Sequence, residues 1–139
     1  MKTLFATTAA AVLLSAGSAF AAAHAMADAV TAADQDVSNG IVSADMITAA
    51  QNGWMVVHRT DAEMKPGPVV GYAPLRMGEN VDVAAILQEE IASGDMLMLM
   101  VHGEDGGTQT GVFEYTLGAT EDGPIRVDGN LVMAVITAE

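Results

Sequence analysis

Cysteine is absent from the 139-residue sequence. Its absence excludes disulfide bridges, a thiolate metal site and a lipid anchor attached to cysteine. The folded state must therefore be held together by an ordinary apolar core. A chain of this size can bury roughly two thirds of the surface that it exposes when unfolded, which is enough for one domain without covalent cross-links. We expect a single domain.

Long apolar runs are also missing, except at the N-terminus, which reads MKTLFATTAAAVLLSAGSAFA. Lys2, an apolar run from Leu4 to Leu14 and then small residues are typical of a secretory signal peptide. The run is shorter than the roughly 20 residues that a membrane-spanning helix needs. Ala19-Phe20-Ala21 and Ala23-His24-Ala25 both fit a cleavage site, and we favour cleavage after Ala21. We therefore expect residues 1–21 to be removed, and the mature chain to be periplasmic or extracellular with no transmembrane segment.

Positive charge is scarce. Once Lys2 is removed, four cations remain against 18 acidic residues, which gives a net charge of −14. The four cations are Arg59, Lys65, Arg76 and Arg126. A surface this acidic repels nucleic acid and anionic lipid, so we expect neither as a partner. The charge fits a solvated surface in salty surroundings or, alternatively, the recruitment of divalent cations.

Residues that commonly carry catalysis are few. The mature chain has three serines and three histidines, and no nucleophile-elbow or phosphate-loop pattern occurs. A pair of carboxylates for sugar cleavage must have a defined separation, which a sequence does not give. We assign no catalytic residue and no cofactor-binding residue, and we expect a protein that is not an enzyme.

Short apolar runs separated by turn residues fill the chain from Val30 onward, which is typical of an all-β protein. Turn signals include Ser38-Asn39-Gly40 and Gln51-Asn52-Gly53. About eight such runs favour an immunoglobulin-like antiparallel β-sandwich over a barrel. We expect residues 22–33 to form a flexible N-terminal segment and residues 34–139 to form the sandwich.

The predicted strands can be quoted from the sequence. They are IVSADMI, GWMVVHRT, VVGYAPL, ENVDVAAIL, DMLMLMV, GVFEYTL, PIRV and LVMAVITA. One alternative stays open within this series, because Val83 to Ala92 also fits a short helix.

An ordered series of motifs resembles a family of domains of unknown function. The family occurs in secreted and cell-surface proteins, commonly in haloarchaea and also in marine bacteria. The resemblance covers about Asp34 to Thr137, and its markers are Asp34-Gln35, Gly53-Trp54, VVH at 56–58, VVGY at 69–72, MGENVDV at 77–83, LMLMVHGEDGG at 97–107 and EDGPI at 121–125. The loop after His102 departs from the family in having fewer Asp and Asn residues. The resemblance implies an immunoglobulin-like β-sandwich, often an exported or surface module, and it implies no known reaction.

The segment GDMLMLMVHG contains three methionines that alternate with aliphatic residues. Alternate side chains of a strand share one face, so Met96, Met98, Met100 and His102 should project together. The simpler interpretation is a central strand that is covered on both faces, with methionine as an adaptable filler. The alternative is a copper site, because thioether sulfur suits Cu(I). Since ligands two residues apart do not converge, such a site needs donors from a neighbouring strand, such as Met55, Met133 or His58.

A second copper hypothesis depends on where the signal peptide is cut. Cleavage after Ala21 leaves Ala-Ala-His at the mature N-terminus. The free amine, two backbone amides and the imidazole of His24 then form a four-nitrogen set that suits Cu(II) or Ni(II).

Calcium is the second metal candidate after copper. Glu104 and Asp105 lie in an acidic loop where a strand ends, and Ca²⁺ collects oxygens from such loops. The alternative is that they are solvated turn residues. Trp54, the single tryptophan, is expected to close one end of the core or, alternatively, to offer a surface for a ligand. The partner that the sequence favours is a protein or cell-surface component, bound through sheet edges or acidic loops.

Overall fold

The computed structural model describes residues 26–139, and these residues form an all-β, antiparallel, sandwich-like fold with no helix. The predicted fold class is confirmed at this level, while the immunoglobulin-like variety of sandwich stays an expectation. Since these residues contain no helix, they also contain none that is long and apolar enough to cross a membrane. The predicted signal peptide, its cleavage sites and His24 lie outside the described residues.

Nine strands make up the fold. They are β1 (Ala29–Thr31), β2 (Ile41–Ala49), β3 (Gly53–Thr60), β4 (Val69–Leu75), β5 (Gly78–Ile86), β6 (Met96–Gly103), β7 (Arg126–Val127), β8 (Asn130–Leu131) and β9 (Met133–Thr137). β1, predicted as part of a flexible segment, pairs with β2 in register with Thr48, Ile47 and Met46. The ordered domain therefore begins before residue 34.

Two sheets carry most of the fold. One has the strand order β1-β2-β5 and the other β4-β3-β6-β9, while β7 and β8 form a small ribbon. The core cluster combines Val42, Ala44 and Ile47 of the first sheet with Leu97 and Leu99 of the second. Because β3 and β6 are the two inner strands of the four-stranded sheet, they have a strand on each side, as predicted for the methionine-rich segment.

In two segments the structure can be compared directly with the secondary structure that the sequence predicts. Residues 83–86 continue β5 and residues 87–95 are irregular, so the helix that Val83 to Ala92 could have formed is absent from the described chain. Residues 111–117, predicted as the strand GVFEYTL, form turns and irregular backbone. That prediction was wrong because the alternating aromatics of this segment pack on the face of a sheet without joining it, as described next.

Candidate metal centre

The four-stranded sheet is covered on both faces. The odd-numbered residues of β6, Leu97, Leu99 and Val101, belong to the core between the sheets. The even-numbered residues face the other way, yet Met98 is 0% and Met100 is 1% exposed. Residues 104–125, which we call the cover segment, place Phe113 against Trp54 and Tyr115 against the two histidines on this outer face. The predicted burial of the methionine row on a central strand is confirmed for Met98 and Met100, while Met96 at the strand start is half-buried.

Two buried histidines meet under the cover segment. His58 of β3 and His102 of β6 are both 0% exposed. Their Nε2 atoms lie 3.3 Å apart, although the two residues are 44 positions apart in sequence. In the β3–β6 ladder His58 pairs with Met98, His102 pairs with Trp54, and the Val56–Met100 pair lies between them. The two imidazoles therefore extend toward each other along the strands, on either side of that central pair.

The other ring nitrogen of each histidine faces a backbone carbonyl. Nδ1 of His58 lies 2.8 Å from the oxygen of Gly67, and Nδ1 of His102 lies 2.6 Å from the oxygen of Asp122. A carbonyl oxygen only accepts hydrogen bonds, so both Nδ1 atoms must carry the proton. A neutral imidazole has one N–H group, and each Nε2 is then left with a lone pair. The short Nε2–Nε2 contact therefore places two lone pairs face to face.

Burial determines how these rings ionise. Loss of hydration lowers the pKa of His102 to about 4, with a smaller contribution from the nearby His58, against the hydrogen bond to Asp122. Burial also lowers the pKa of His58, although its hydrogen bond to Gly67 opposes the shift. At neutral pH both rings are therefore neutral, and no proton is available to bridge the two Nε2 atoms.

Thioether sulfur lies on the same face of the sheet. Directly paired residues of neighbouring strands share a face. Met98 pairs with His58, and Met100 pairs with Val56 on one side and with Met133 of β9 on the other. Met55, Met133 and His58 are the donors that the sequence predicts from neighbouring strands. His58 and Met133 share this face, whereas Met55 belongs to the core between the sheets.

The cover segment is fastened through Asp122, which is 1% exposed. Its carboxylate accepts hydrogen bonds from the backbone N–H of Glu114, at 2.8 Å, and from that of Asp105, at 3.2 Å. The ring of Tyr115 packs edge-on against both histidines, with centroids 4.5 Å from His102 and 5.9 Å from His58. The cover segment thus closes the histidine pair from solvent.

The acidic loop residues that suggested calcium support the cover segment. Glu104 accepts a hydrogen bond from the backbone N–H of Gly111 at 2.9 Å, and the Asp105 carbonyl accepts from the N–H of Asp122 at 2.8 Å. Within residues 26–139, no group of three or more histidine, aspartate or glutamate side chains is arranged to hold a metal ion. Calcium binding therefore stays a prediction with no converging carboxylates behind it.

Trp54 lies at the end of the same face and is 6% exposed. Its ring packs against Tyr72 and against Phe113 of the cover segment, with centroids 5.9 and 5.4 Å away. Its Nε1–H is buried and has no hydrogen-bond acceptor within residues 26–139. Trp54 therefore closes one end of the outer cluster and lies against the four-stranded sheet, not between the sheets.

The sequence predicts His58 as an accessory donor and predicts no role for Tyr115. The signal available for the histidine pair was that both GWMVVHRTDAE and DMLMLMVHGEDG end an apolar strand at histidine and continue into an acidic loop. From that similarity alone, the two histidines are expected at opposite ends of an antiparallel ladder. The direction of their side chains along the strands brings the two rings together.

The fold and the buried histidine pair define the class of protein: a small all-β sandwich in which a loop covers paired imidazoles on the outer face of one sheet. The model of a domain of unknown function, DUF7282, matches residues 28–139. The chain belongs to that family. No curated protein and no solved structure matches the chain.

Proposed function

We propose that this chain is an exported, non-enzymatic module that binds one transition-metal ion between Nε2 of His58 and Nε2 of His102. The observation that carries the proposal is the 3.3 Å contact between two Nε2 atoms whose partner Nδ1 atoms both face carbonyl oxygens. Two facing lone pairs repel each other when nothing lies between them. A cation bound by both nitrogens turns that repulsion into attraction.

A proton is the simplest cation that two imidazoles can share, but burial of this pair opposes it. The pKa of His102 is lowered to about 4, so near pH 7 the protonated state is disfavoured. A metal ion is held by coordinate bonds to the neutral rings and does not need either ring to be protonated. A metal ion therefore fits this pair near neutral pH.

The spacing also fits a shared ion. Metal–nitrogen bonds to imidazole are roughly 2.0–2.1 Å long. With the two nitrogens 3.3 Å apart, an ion bonded to both would subtend roughly 104–111°, close to a tetrahedral angle. The hydrogen bonds from both Nδ1 atoms to carbonyls fix the ring orientation, as is usual for histidines that bind metal.

Export and the lack of catalysis are further parts of the proposal. Export is supported by the N-terminal sequence, which has the charge, apolar run and small residues of a signal peptide. A non-catalytic role is supported by the closed site, since the cover segment and Tyr115 leave the histidines 0% exposed. A substrate would have to displace the cover segment to reach an ion bound at this place.

The test uses the mature protein after export by its own leader, carrying His24→Ala so that the N-terminal nitrogen site cannot contribute. The protein is freed of metal with a chelator and titrated with Zn(II) and, under reducing conditions, with Cu(I). We expect one equivalent of at least one ion to bind with submicromolar affinity. ¹⁵N spectra of the imidazoles should show the ion-dependent shift at Nε2 and not at Nδ1.

His58→Gln and His102→Gln should each weaken that binding at least 100-fold. Far-ultraviolet circular dichroism and Trp54 emission establish that each variant is folded. If the folded parent protein binds neither ion at micromolar concentration, or if binding survives in both variants, the proposal fails. Restoring His24 should add a separate Cu(II) site in the parent and in both variants, if cleavage occurs after Ala21.

A second candidate function is attachment to a protein or cell-surface component. It is favoured by exposed apolar cross-strand pairs on the three-stranded sheet: Ile41 pairs with Ile86, and Met46 pairs with Val81. Ile86 is 76% and Val81 is 67% exposed. Each pair places two exposed apolar side chains next to each other, and exposed apolar surface can mark an interaction site.

Cross-linking of the exported protein in cells tests this second function. A specific adduct that Ile86→Lys abolishes and Met77→Lys preserves would support it, since Met77 is 68% exposed but lies outside the paired residues. If the adducts are identical in both variants, attachment through this face is excluded.

A further inference from the structure

The surroundings of the two histidines are poor in negative charge. The ionisable residues that are fully buried within residues 26–139 are His58, His102 and Asp122. Both carboxylate oxygens of Asp122 are occupied by backbone N–H groups of the cover segment. The site therefore offers neutral imidazole nitrogens, and the carboxylate of Asp122 is the one fully buried carboxylate of the described residues that can offset a bound cation there.

The shortage of buried negative charge discriminates between ions of different valence. The cost of moving an ion from water into a protein interior is electrostatic and rises with the square of its charge. A divalent ion bound by two neutral imidazoles keeps its full double charge, in a place where each histidine is 0% exposed. A monovalent ion in the same place costs roughly a quarter as much to bury.

Soft ligands lie on the same face. Met100 is 1% exposed and sits at the ladder position between the two histidines, and Met98 is 0% exposed and pairs directly with His58. Thioether sulfur is an uncharged, soft ligand that favours Cu(I) over harder divalent ions. Methionine would thus complete a ligand set without adding charge.

Resting on the metal site proposed above, we propose that the ion it takes is monovalent copper. Cu(I) is bound by Nε2 of His58, Nε2 of His102 and a thioether of the methionine row, Met100 first. Cu(II) is disfavoured at this place because it prefers tetragonal nitrogen and oxygen ligands. Both histidines are 0% exposed, so bulk water does not reach this place to complete such a set.

The register of β6 with its neighbouring strands separates one methionine of the row from the other two. Met100 and Met98 lie level with the histidine pair, whereas Met96 pairs with Thr60 and with Thr137 at the far end of β6. Of the sequence-predicted copper ligands on β6, the structure assigns His102, Met100 and Met98 to the site and leaves Met96 outside it.

The experiment compares Cu(I) with Zn(II) in the exported His24→Ala protein, with a chromophoric chelator of known affinity as competitor for each ion. We expect Cu(I) to bind with one equivalent and at least 100-fold more tightly than Zn(II). X-ray absorption of the Cu(I) form should show two nitrogen neighbours and at least one sulfur neighbour. Met100→Leu removes a proposed ligand, so it is expected to weaken Cu(I) binding by at least about 10-fold, the lower end of the loss seen when only a residue that supports a ligand is replaced, while Zn(II) affinity changes less than threefold.

Met77→Leu is the matched control, because Met77 is 68% exposed and lies outside the site. It should leave both affinities unchanged. The thioether of Met98 could compensate for the one lost in Met100→Leu. In that case the Met98→Leu, Met100→Leu double variant must show the loss of Cu(I) binding and must lack the copper–sulfur signal.

The outcomes separate this inference from the function on which it rests. Tight Zn(II) binding with no preference for Cu(I), or a copper spectrum without sulfur, overturns the assignment to monovalent copper and leaves the metal site standing. No binding of either ion to the folded protein overturns both. Loss of Cu(I) binding in Met77→Leu as well would show that the effect of methionine replacement is not local to the site.

Discussion

His102 is connected to the cover segment through Asp122. Its ring N–H donates to the Asp122 carbonyl at 2.6 Å, and the Asp122 carboxylate in turn accepts the backbone N–H of Glu114 at 2.8 Å. One residue thus holds the imidazole from its main chain and the covering loop from its side chain. The orientation of the histidine and the position of the cover are therefore coupled.

Replacing Asp122 with alanine is expected to loosen the cover. Two backbone N–H groups lose their acceptor, so the free energy of unfolding should fall by about 2–3 kcal/mol more than in the control. The control is Asp128→Ala, because Asp122 and Asp128 both have positive φ, at 45° and 51°. Asp128 is exposed and its carboxylate makes no hydrogen bond in the described chain. Urea unfolding followed by Trp54 emission measures both, and equal losses in the two variants would contradict the role of the carboxylate.

The metal-free protein should lose stability as the pH falls below about 6.5. Burial lowers the pKa of His102 to about 4. Between pH 6.5 and 4, this histidine is therefore protonated in the unfolded chain and neutral in the folded chain. Stability from this group is fully present above the unfolded pKa and is lost as the pH falls toward 4. From pH 7.5 to 5 the loss from His102 should be about 2 kcal/mol, since one pKa unit corresponds to about 1.36 kcal/mol and the slope reaches its full value only below the unfolded pKa.

The titration of carboxylates interferes little with this measurement. The pKa values of Asp36, Asp95 and Glu114 are lowered by hydrogen bonds, so the stability they contribute is lost below the ordinary carboxylate range near 4. Urea unfolding in steps from pH 7.5 to 5 isolates the histidines. The slope should disappear in the His58→Gln, His102→Gln double variant, and a slope that persists there would assign the effect to other groups.

Gly53 is expected to tolerate no side chain. A Cβ at this position would collide with the carbonyl oxygen of His102 on the paired strand. Gly53→Ala should therefore shift the β3–β6 ladder beside the imidazole, lower the free energy of unfolding by about 2–3 kcal/mol, and weaken metal binding. At Gly123 a Cβ would lie 3.3 Å from the oxygen of Thr120. Gly123→Ala should thus cost less than about 1 kcal/mol, and a reversed order of the two losses would contradict the role given to the ladder.

Arg59 fastens the irregular segment after β5 to β3. It bonds Glu89 and Asp95, with its own side chain 34% and the Asp95 side chain 38% exposed. Such partly screened pairs stabilise weakly, so Arg59→Gln should cost about 1 kcal/mol and less in high salt. Lys65→Gln, which removes the fully solvated pair with Glu63, should change the free energy of unfolding by less than about 0.3 kcal/mol. Thermal melts at two salt concentrations compare them.

The strands could be predicted because each has one face that must be buried. Apolar and polar residues therefore alternate along its sequence. The burial of Met98 and Met100 also followed, since an exposed row of methionines would be costly. The segment from 111 to 117 could not be distinguished from a strand in this way. Phe113 and Tyr115 alternate because they pack on a sheet face, and a loop fastened by carboxylates satisfies the same pattern.

The contact between the two histidines could not be predicted from the sequence. Strand pairing places His58 opposite Met98 and His102 opposite Trp54, at different ends of the shared ladder. Their contact depends on side-chain direction and on carbonyls that come from Gly67 and Asp122 in separate loops. No spacing in the sequence encodes the meeting of those four elements.

The uneven burial of methionine has a consequence for chemical damage. Met77 is 68%, Met64 is 52% and Met46 is 41% exposed, while Met98 is 0% exposed. Oxidants convert accessible thioethers to sulfoxides first. On exposure to peroxide, the surface methionines would be oxidised while the thioethers under the cover stay reduced. Several oxygen atoms could thus be added to the chain before the buried face is chemically altered.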